Sequence, residues 1–126
     1  MRDMEVVMFK DLKVYQSAMD LCVSIYKITD SYPNHELFGL VSQMRRAVVS
    51  VPSNLAEGAG RGSYRDQLRF YYIARGSLAE LETQLEISFR LGYVEGRLHK
   101  ETRFVYRLLN GLISATKKMI VVDSNN

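Results

Sequence analysis

The chain has 126 residues, of which 47% are hydrophobic and 25% charged, and it carries a formal net charge of +3. This length supports one domain with a single core, and the composition excludes an intrinsically disordered chain. The single cysteine, Cys22, excludes an intramolecular disulfide, and no apolar run approaches the ~20 residues of a membrane span. Residues 1–5 lack the pattern of a secretory signal, so we expect a cytoplasmic protein that does not interact with membranes.

Apolar residues at steps of three and four predict a first helix over residues 11–30, with Asp11 as its N-cap. Pro33 disfavours helix at the residue before it, and Asn34 can then cap a second helix. The line that we expect to face the core in the first helix consists of Leu12, Tyr15, Met19, Cys22 and Tyr26.

The second helix is predicted to continue to Glu57 although it contains Pro52. A proline inside a helix removes a backbone donor and clashes with the preceding turn, at a cost of ~3 kcal/mol or more. The apolar line that we expect to face the core nevertheless keeps its register through Pro52, and it consists of Leu37, Val41, Met44, Val48, Val51 and Leu55. We therefore predict a continuous helix with a kink at Pro52, and two helices separated at residues 50–53 are the alternative.

Glycines within residues 58–62 predict the end of the second helix and a helix–helix turn. A phosphate-binding loop would need a preceding strand or a Gly-Lys-Ser/Thr sequence, and neither is present. Residues 63–66 resemble a capping box, with Ser63 as the N-cap of a third helix that stops near Gly92. A fourth helix begins between residues 94 and 97, and its expected core line consists of Leu98, Val105, Leu108, Leu112 and Met119.

The whole pattern predicts an all-α fold, because no segment alternates long enough to form a sheet. Short connections favour an antiparallel up-down-up-down four-helix bundle. We expect residues 9–119 to form this single domain, with flexible or extended ends at residues 1–8 and 120–126.

The residue types that carry catalysis are sparse and scattered. His35 and His99 have no ligand-like neighbour four residues away, and Cys22 lies on an apolar helix face. The carboxylates lack the Glu-x-x-His repeat of di-iron bundles. We therefore expect no metal, no cofactor and no enzymatic activity.

A line of polar residues runs beside the apolar line on the second and third helices. If these helices fold about Arg61, the pairing predicts an Arg46–Glu80 ion pair and places Asn54 near Arg69. Partly buried polar groups must be paired, so we interpret the line as a structural layer that fixes helix register or subunit choice, and a ligand site is the alternative. Its members are Gln43, Arg46, Ser50, Asn54, Glu57, Arg69, Ser77, Glu80 and Gln84.

Cations gather on the fourth helix and near the start of the third. Such rows can follow a phosphate backbone with salt-sensitive affinity, and a solvated helix face is the alternative. Several tyrosines could stack on bases, although some must belong to the core or to an interface. The candidate nucleic-acid-binding residues are Arg61, Arg65, Arg97, Lys100, Arg103, Arg107, Lys117 and Lys118.

Three segments carry a resemblance to known proteins: FKDLKVYQSA at residues 9–18, QMRRAVVSVPSNLAEG at 43–58 and FYYIARGSLAELE at 70–82. Together they resemble the small four-helix-bundle proteins encoded by intervening sequences in bacterial 23S ribosomal RNA genes. The accessory proteins of diversity-generating retroelements are a more distant likeness. The resemblance covers about residues 9–119, and the arginine at position 75 is a slight departure from it.

This resemblance implies a ring-shaped homo-oligomer, a pentamer, with no assigned catalysis. It also raises the expectation of RNA or DNA binding, because the retroelement relatives are thought to bind nucleic acid through basic surfaces of the ring. Two functions stay open: a nucleic-acid-binding oligomer, or a scaffold or adaptor that recruits a protein partner.

Overall fold

The computed structural model describes residues 12–125, apart from the side chains of Arg97 and Leu98. Its helices are α1 (Lys13–Thr29), α2 (Ser42–Ala59), α3 (Tyr64–Arg90) and α4 (Arg97–Ser124). A 3-10 turn (Asn34–Glu36) and a π-helical turn (Leu37–Val41) lead into α2. No strand occurs among the described residues, and the prediction of an all-α protein with four helices is confirmed.

The four helices enclose one hydrophobic core. Each helix packs against the next one in the chain, and α4 also packs against α1. Along α2, Met44 contacts Ser88 and Ser50 contacts Ser77, so residue numbers fall along α3 as they rise along α2. The largest fully buried side chains include Leu21, Ile25, Met44, Leu55, Leu78, Leu81, Leu85 and Leu109.

The core-facing side of α1 agrees with the prediction only in part, because Leu12, Tyr15 and Cys22 pack partly buried against the core. The buried line consists of Val14, Ala18, Leu21 and Ile25, whereas Met19 and Tyr26 are 41% and 44% exposed. Both lines have helical spacing, and the one with smaller side chains faces the core. The N-cap position of α1 is occupied by Leu12, and the predicted cap at residue 11 lies outside the described residues.

The start of the second helical segment is irregular. Asn34 begins the 3-10 turn instead of capping a helix, and Gly39 has non-helical dihedrals of φ −113° and ψ −108°. From Ser42 onward α2 is continuous through the buried Pro52, so the alternative of a break at residues 50–53 is wrong. The kink at Pro52 stays a prediction.

Helix α2 continues two residues beyond its predicted end, which places Gly58 inside the helix. A Cβ atom at this position would lie 2.7 Å from Cε1 of Tyr71 and 3.0 Å from Cβ of Phe70. Glycine is therefore needed here for the close approach of α2 to α3, not for a turn. The predicted N-cap of α3 is confirmed, because Oγ of Ser63 accepts the backbone N–H of Asp66 at 3.1 Å.

The end of α3 also agrees with the prediction. Gly92 has a φ of +80°, the only positive value among the described residues. The backbone N–H of Tyr93 donates to the carbonyl of Ser88 at 2.8 Å, and that of Gly92 donates to Phe89 at 3.0 Å. This arrangement satisfies carbonyls that the end of a helix leaves free.

Helix α4 corrects two expectations. It extends to Ser124, so residues 120–124 are helical instead of extended or frayed, while residues 1–8 lie outside the described part. Its buried line includes Thr102 and Thr116, and the Thr116 hydroxyl donates to the carbonyl of Leu112 at 2.8 Å. The prediction missed these threonines and also the buried Leu109 and Ile113, and it placed Met119, which is 39% exposed, toward the core.

Candidate nucleic-acid interface

One face of α4 carries exposed cations in two groups, one near its start and one near its C-terminal end. Lys100, Arg103, Arg107 and Lys118 fall at helical spacing with the exposed Gly111 and Ser114 between them, and Lys117 lies beside the row. At a rise of 1.5 Å per residue, the distance from Lys100 to Lys118 along the helix is about 27 Å. We call the five cations the α4 basic line: Lys100, Arg103, Arg107, Lys117 and Lys118.

These five cations form no salt bridge with any of the described residues. Their charge is therefore available to a ligand. Arg65 is also exposed, and it lines a shallow depression with Ile120 and Asp123 near the C-terminal end of α4. The side chain of Arg97, the remaining candidate on α4, lies outside the described part of the chain.

Arg61 has a different environment from the α4 cations. Its guanidinium lies 3.0 Å from Glu57 and 3.9 Å from Asp66, and Asp66 also binds Arg69 at 3.1 Å. Both arginines lie over the ring of Phe70, at 4.5 and 4.4 Å from its centroid. These contacts hold Arg61 at the connection between α2 and α3, where carboxylates already offset its charge.

Two exposed aromatic rings beside the α4 basic line, those of Tyr72 and Phe104, are engaged by cations of the same chain. The Tyr72 ring, 36% exposed, has Arg75 at 5.0 Å and Lys117 at 5.7 Å from its centroid. The Phe104 ring, 37% exposed, has Lys13 at 5.5 Å.

Other tyrosines that could have stacked on bases serve the fold. Tyr71 is buried in the core, and the Tyr93 hydroxyl donates to Glu36 at 3.0 Å. Tyr64 and Tyr106 are half-buried. The sequence pattern therefore overestimated the number of tyrosines available to a ligand.

The predicted polar layer is a surface stripe with a small hydrogen-bonded centre. The hydroxyls of Ser50 and Ser77 lie 2.8 Å apart, and Nδ2 of Asn54 donates to the Ser50 carbonyl and hydroxyl at 2.8 and 2.9 Å. Ser50, Asn54 and Ser77 are half-buried and Gln84 is buried, whereas the exposed members are Gln43, Arg46, Glu57, Arg69 and Glu80.

Two predicted contacts of this stripe are wrong for the single chain. Arg46 and Glu80 are both exposed and form no ion pair with each other. Asn54 bonds back to its own helix, and Arg69 pairs with Asp66 instead of Asn54. Local partners three and four residues away replace the predicted contacts between helices.

An apolar surface that the sequence analysis missed lies at the irregular entrance to α2. Phe38 is 94% exposed, Leu37 50%, Tyr26 44% and Val49 41%. These residues line an open groove together with Arg45 and Arg46. We call Tyr26, Leu37, Phe38 and Val49 the Phe38 surface. Leu37 had been predicted to face the core. Phe38 lies outside the predicted core line, and this position was the sequence signal for its exposure.

The one thiol is a packed side chain. Sγ of Cys22 donates to the carbonyl of Val48 at 3.3 Å, and burial raises its pKa to about 11. The thiol is therefore protonated at neutral pH, and only a thiolate is a good nucleophile. Within the described residues, no group of three His, Cys, Asp or Glu side chains could hold a metal ion. None of the described helices has the length and apolar character to cross a membrane.

Comparison with known proteins supports the resemblance found in the sequence. The model of one family, described as 23S rRNA-intervening sequence protein, matches residues 10–115. No curated protein matches the chain. The family match extends from the residues just before α1 well into α4 and covers most of the chain. The chain therefore belongs to the 23S rRNA-intervening sequence protein family.

Proposed function

We propose that the protein is a non-enzymatic homo-oligomer that binds RNA or DNA through the α4 basic line. One observation carries this proposal: five exposed cations lie along α4 without a salt bridge to any described residue. Cations that neutralise phosphates release condensed counterions, which is the main source of non-specific nucleic-acid affinity. The family name refers to ribosomal RNA, which agrees with this class of ligand.

The homo-oligomer part of the proposal rests on exposed apolar side chains. The Phe38 surface is a patch of exposed apolar side chains along one groove, and such patches mark interaction sites. A ring, a pentamer as the family resemblance implies, would repeat the α4 basic line in every subunit. Repetition would multiply a weak affinity into a useful one.

The finer features of the protomer belong to the same proposal. We propose an antiparallel up-down-up-down bundle, which the reversed order of contacts between α2 and α3 supports, with a bend of α2 at Pro52. We also propose a cytoplasmic location, where the single thiol of Cys22 would stay reduced.

Light scattering and fluorescence anisotropy test the two parts separately. Scattering gives the mass of the purified particle, and anisotropy gives its affinity for labelled RNA and DNA between 50 and 200 mM salt. With five phosphate contacts on a duplex, the slope of log affinity against log salt is about −4.5, so affinity falls roughly 500-fold over this range. Absence of any binding at 50 mM salt would refute the nucleic-acid function.

A matched pair of variants tests the site. The double variant Lys100→Glu and Arg103→Glu reverses two charges of the α4 basic line, and we expect at least tenfold weaker binding. The control, Lys27→Glu with Arg90→Glu, makes the same change in net charge at exposed positions of α1 and α3. An equal loss in both variants would show that net charge, and not this line, governs affinity.

The Phe38 surface favours a second candidate function, a scaffold or adaptor that binds another protein. A phenylalanine that is 94% exposed, beside Arg46, suits a partner segment with apolar and acidic side chains, whereas Arg45 is already paired with Asp30 at 2.9 Å. Pull-down from the native host with nuclease treatment before elution tests this candidate. A partner that is recovered with the native chain and lost with Phe38→Glu, while the particle mass stays constant, would favour it.

A further inference from the structure

We infer that the α4 basic line binds the phosphate backbone of double-stranded nucleic acid in preference to single strands. The inference rests on the proposed nucleic-acid function and goes further by naming the class of ligand. It follows from two properties of the described surface, the state of the aromatic rings and the groups between the cations, and from the higher charge density of a duplex.

Single-strand binding depends on free aromatic faces. Stacking of a base on an aromatic side chain contributes about five- to 150-fold in affinity per base. Beside the α4 basic line, Arg75 and Lys117 lie over Tyr72, and Lys13 lies over Phe104. A base could stack on these rings only by displacing cations, so the stacking advantage of a single strand is reduced.

The positions between the cations also offer little to a base edge. Gly111 and Ser114 are small, and a Cβ added at Gly111 would meet nothing within 4 Å. The side-chain amide oxygen of the neighbouring Asn110 already accepts a hydrogen bond from the guanidinium of Arg75 at 3.0 Å. The surface therefore presents charge on a smooth helix face, which suits contacts with phosphates more than readout of bases.

Charge density decides between the two forms of nucleic acid. A duplex carries one negative charge per about 1.7 Å of its axis, and each neutralised phosphate contributes a salt slope of about −0.9, against about −0.7 for a single strand. Five contacts then give slopes of about −4.5 and −3.5. A ligand recognised through charge alone is therefore held more tightly as a duplex at low salt.

The experiment compares three labelled probes by anisotropy: a 20-base-pair RNA duplex, a DNA duplex of the same sequence, and a 20-nucleotide oligouridine. We expect at least one duplex to bind tenfold more tightly than oligouridine at 50 mM salt, with the steeper slope. The two duplexes distinguish RNA from DNA as the source of the backbone. Tighter binding of oligouridine would overturn this inference alone, whereas no binding of any probe would overturn the proposed function as well.

Ring variants supply a second, independent readout. Tyr72→Leu and Phe104→Leu keep an apolar side chain but remove the aromatic face, and we expect duplex affinity to change less than twofold. Circular dichroism checks that both variants are folded. A fivefold loss of affinity for any probe, with the helical signal retained, would show that bases stack on these rings and would overturn the inference.

Discussion

Replacing Gly58 with alanine should destabilise the bundle, although alanine is the better helix former. The new Cβ would lie 2.7 Å from Cε1 of Tyr71, 3.0 Å from Cβ of Phe70 and 3.1 Å from the carbonyl oxygen of Gln67. Two of these atoms belong to backbone or to a Cβ and move only with the helix. The α2–α3 contact must therefore open to admit one methyl group.

The magnitude follows from two opposing terms. Overpacking a tight contact costs about 1–3 kcal/mol. The propensity gain from glycine to alanine is at most ~1 kcal/mol, and it is smaller here because Gly58 is one residue from the end of α2. We expect a net loss of about 1–2 kcal/mol, which for a chain of this length lowers the melting temperature by roughly 3–8 °C.

Gly111→Ala is the matched control. This glycine is also inside a helix, but nothing lies within 4 Å of the added methyl group. We expect stabilisation of about 0.5–1 kcal/mol from propensity alone. Urea unfolding followed by circular dichroism measures both variants, at one protein concentration because assembly would contribute to the apparent stability. If Gly58→Ala were stabilising to the same extent, the close-approach explanation would be refuted.

Three further predictions concern other side chains. Ser50→Ala and Ser77→Ala each break the 2.8 Å hydroxyl pair and should each cost about 0.5–1.5 kcal/mol, and in a double-mutant cycle the two losses should not add. Cys22 should react with a disulfide reagent only slowly at pH 8, because burial raises its pKa to about 11. Since the folded protein holds the thiol proton more tightly than the unfolded chain, the free energy of unfolding that is linked to this thiol is fully present below pH 9.0 and declines as the pH rises toward 11. Phe38→Glu should lower the particle mass measured by light scattering and leave the helical signal unchanged, since 94% of the side chain is exposed within one chain.

The helices of the fold were readable from local signals. The core line of α2 from Val41 to Leu55 is buried as predicted, and Ser63 and Gly92 bound α3 as their chemistry requires. These features depend on neighbours within one or two turns. In α1, two lines of residues had similar apolar content, and the choice between them depended on packing against the other helices, which spacing alone does not encode.

Contacts between helices were predicted less well than the helices themselves. Folding α2 against α3 about Arg61 predicted that Arg46 lies beside Glu80. The hydrogen bond that forms between the two helices instead joins Ser50 to Ser77. The two long charged side chains stay apart at this exposed seam, whereas the two half-buried serine hydroxyls meet across it. The irregular entrance around Gly39 was likewise invisible to a pattern of apolar spacing, and with it the exposure of Phe38.

The difference between local spacing and tertiary contacts also applies to the candidate nucleic-acid interface. Helical spacing alone places the α4 cations on one face, but it does not distinguish them from Arg61, which is paired with carboxylates. Tertiary and capping contacts separate them, because Asp66 enters the first turn of α3 where it meets both Arg61 and Arg69. The cations of α4 have no such carboxylate among the described residues. A phosphate backbone would therefore meet a row of cations without carboxylate partners on α4, and reversal of charge in this row is expected to weaken binding.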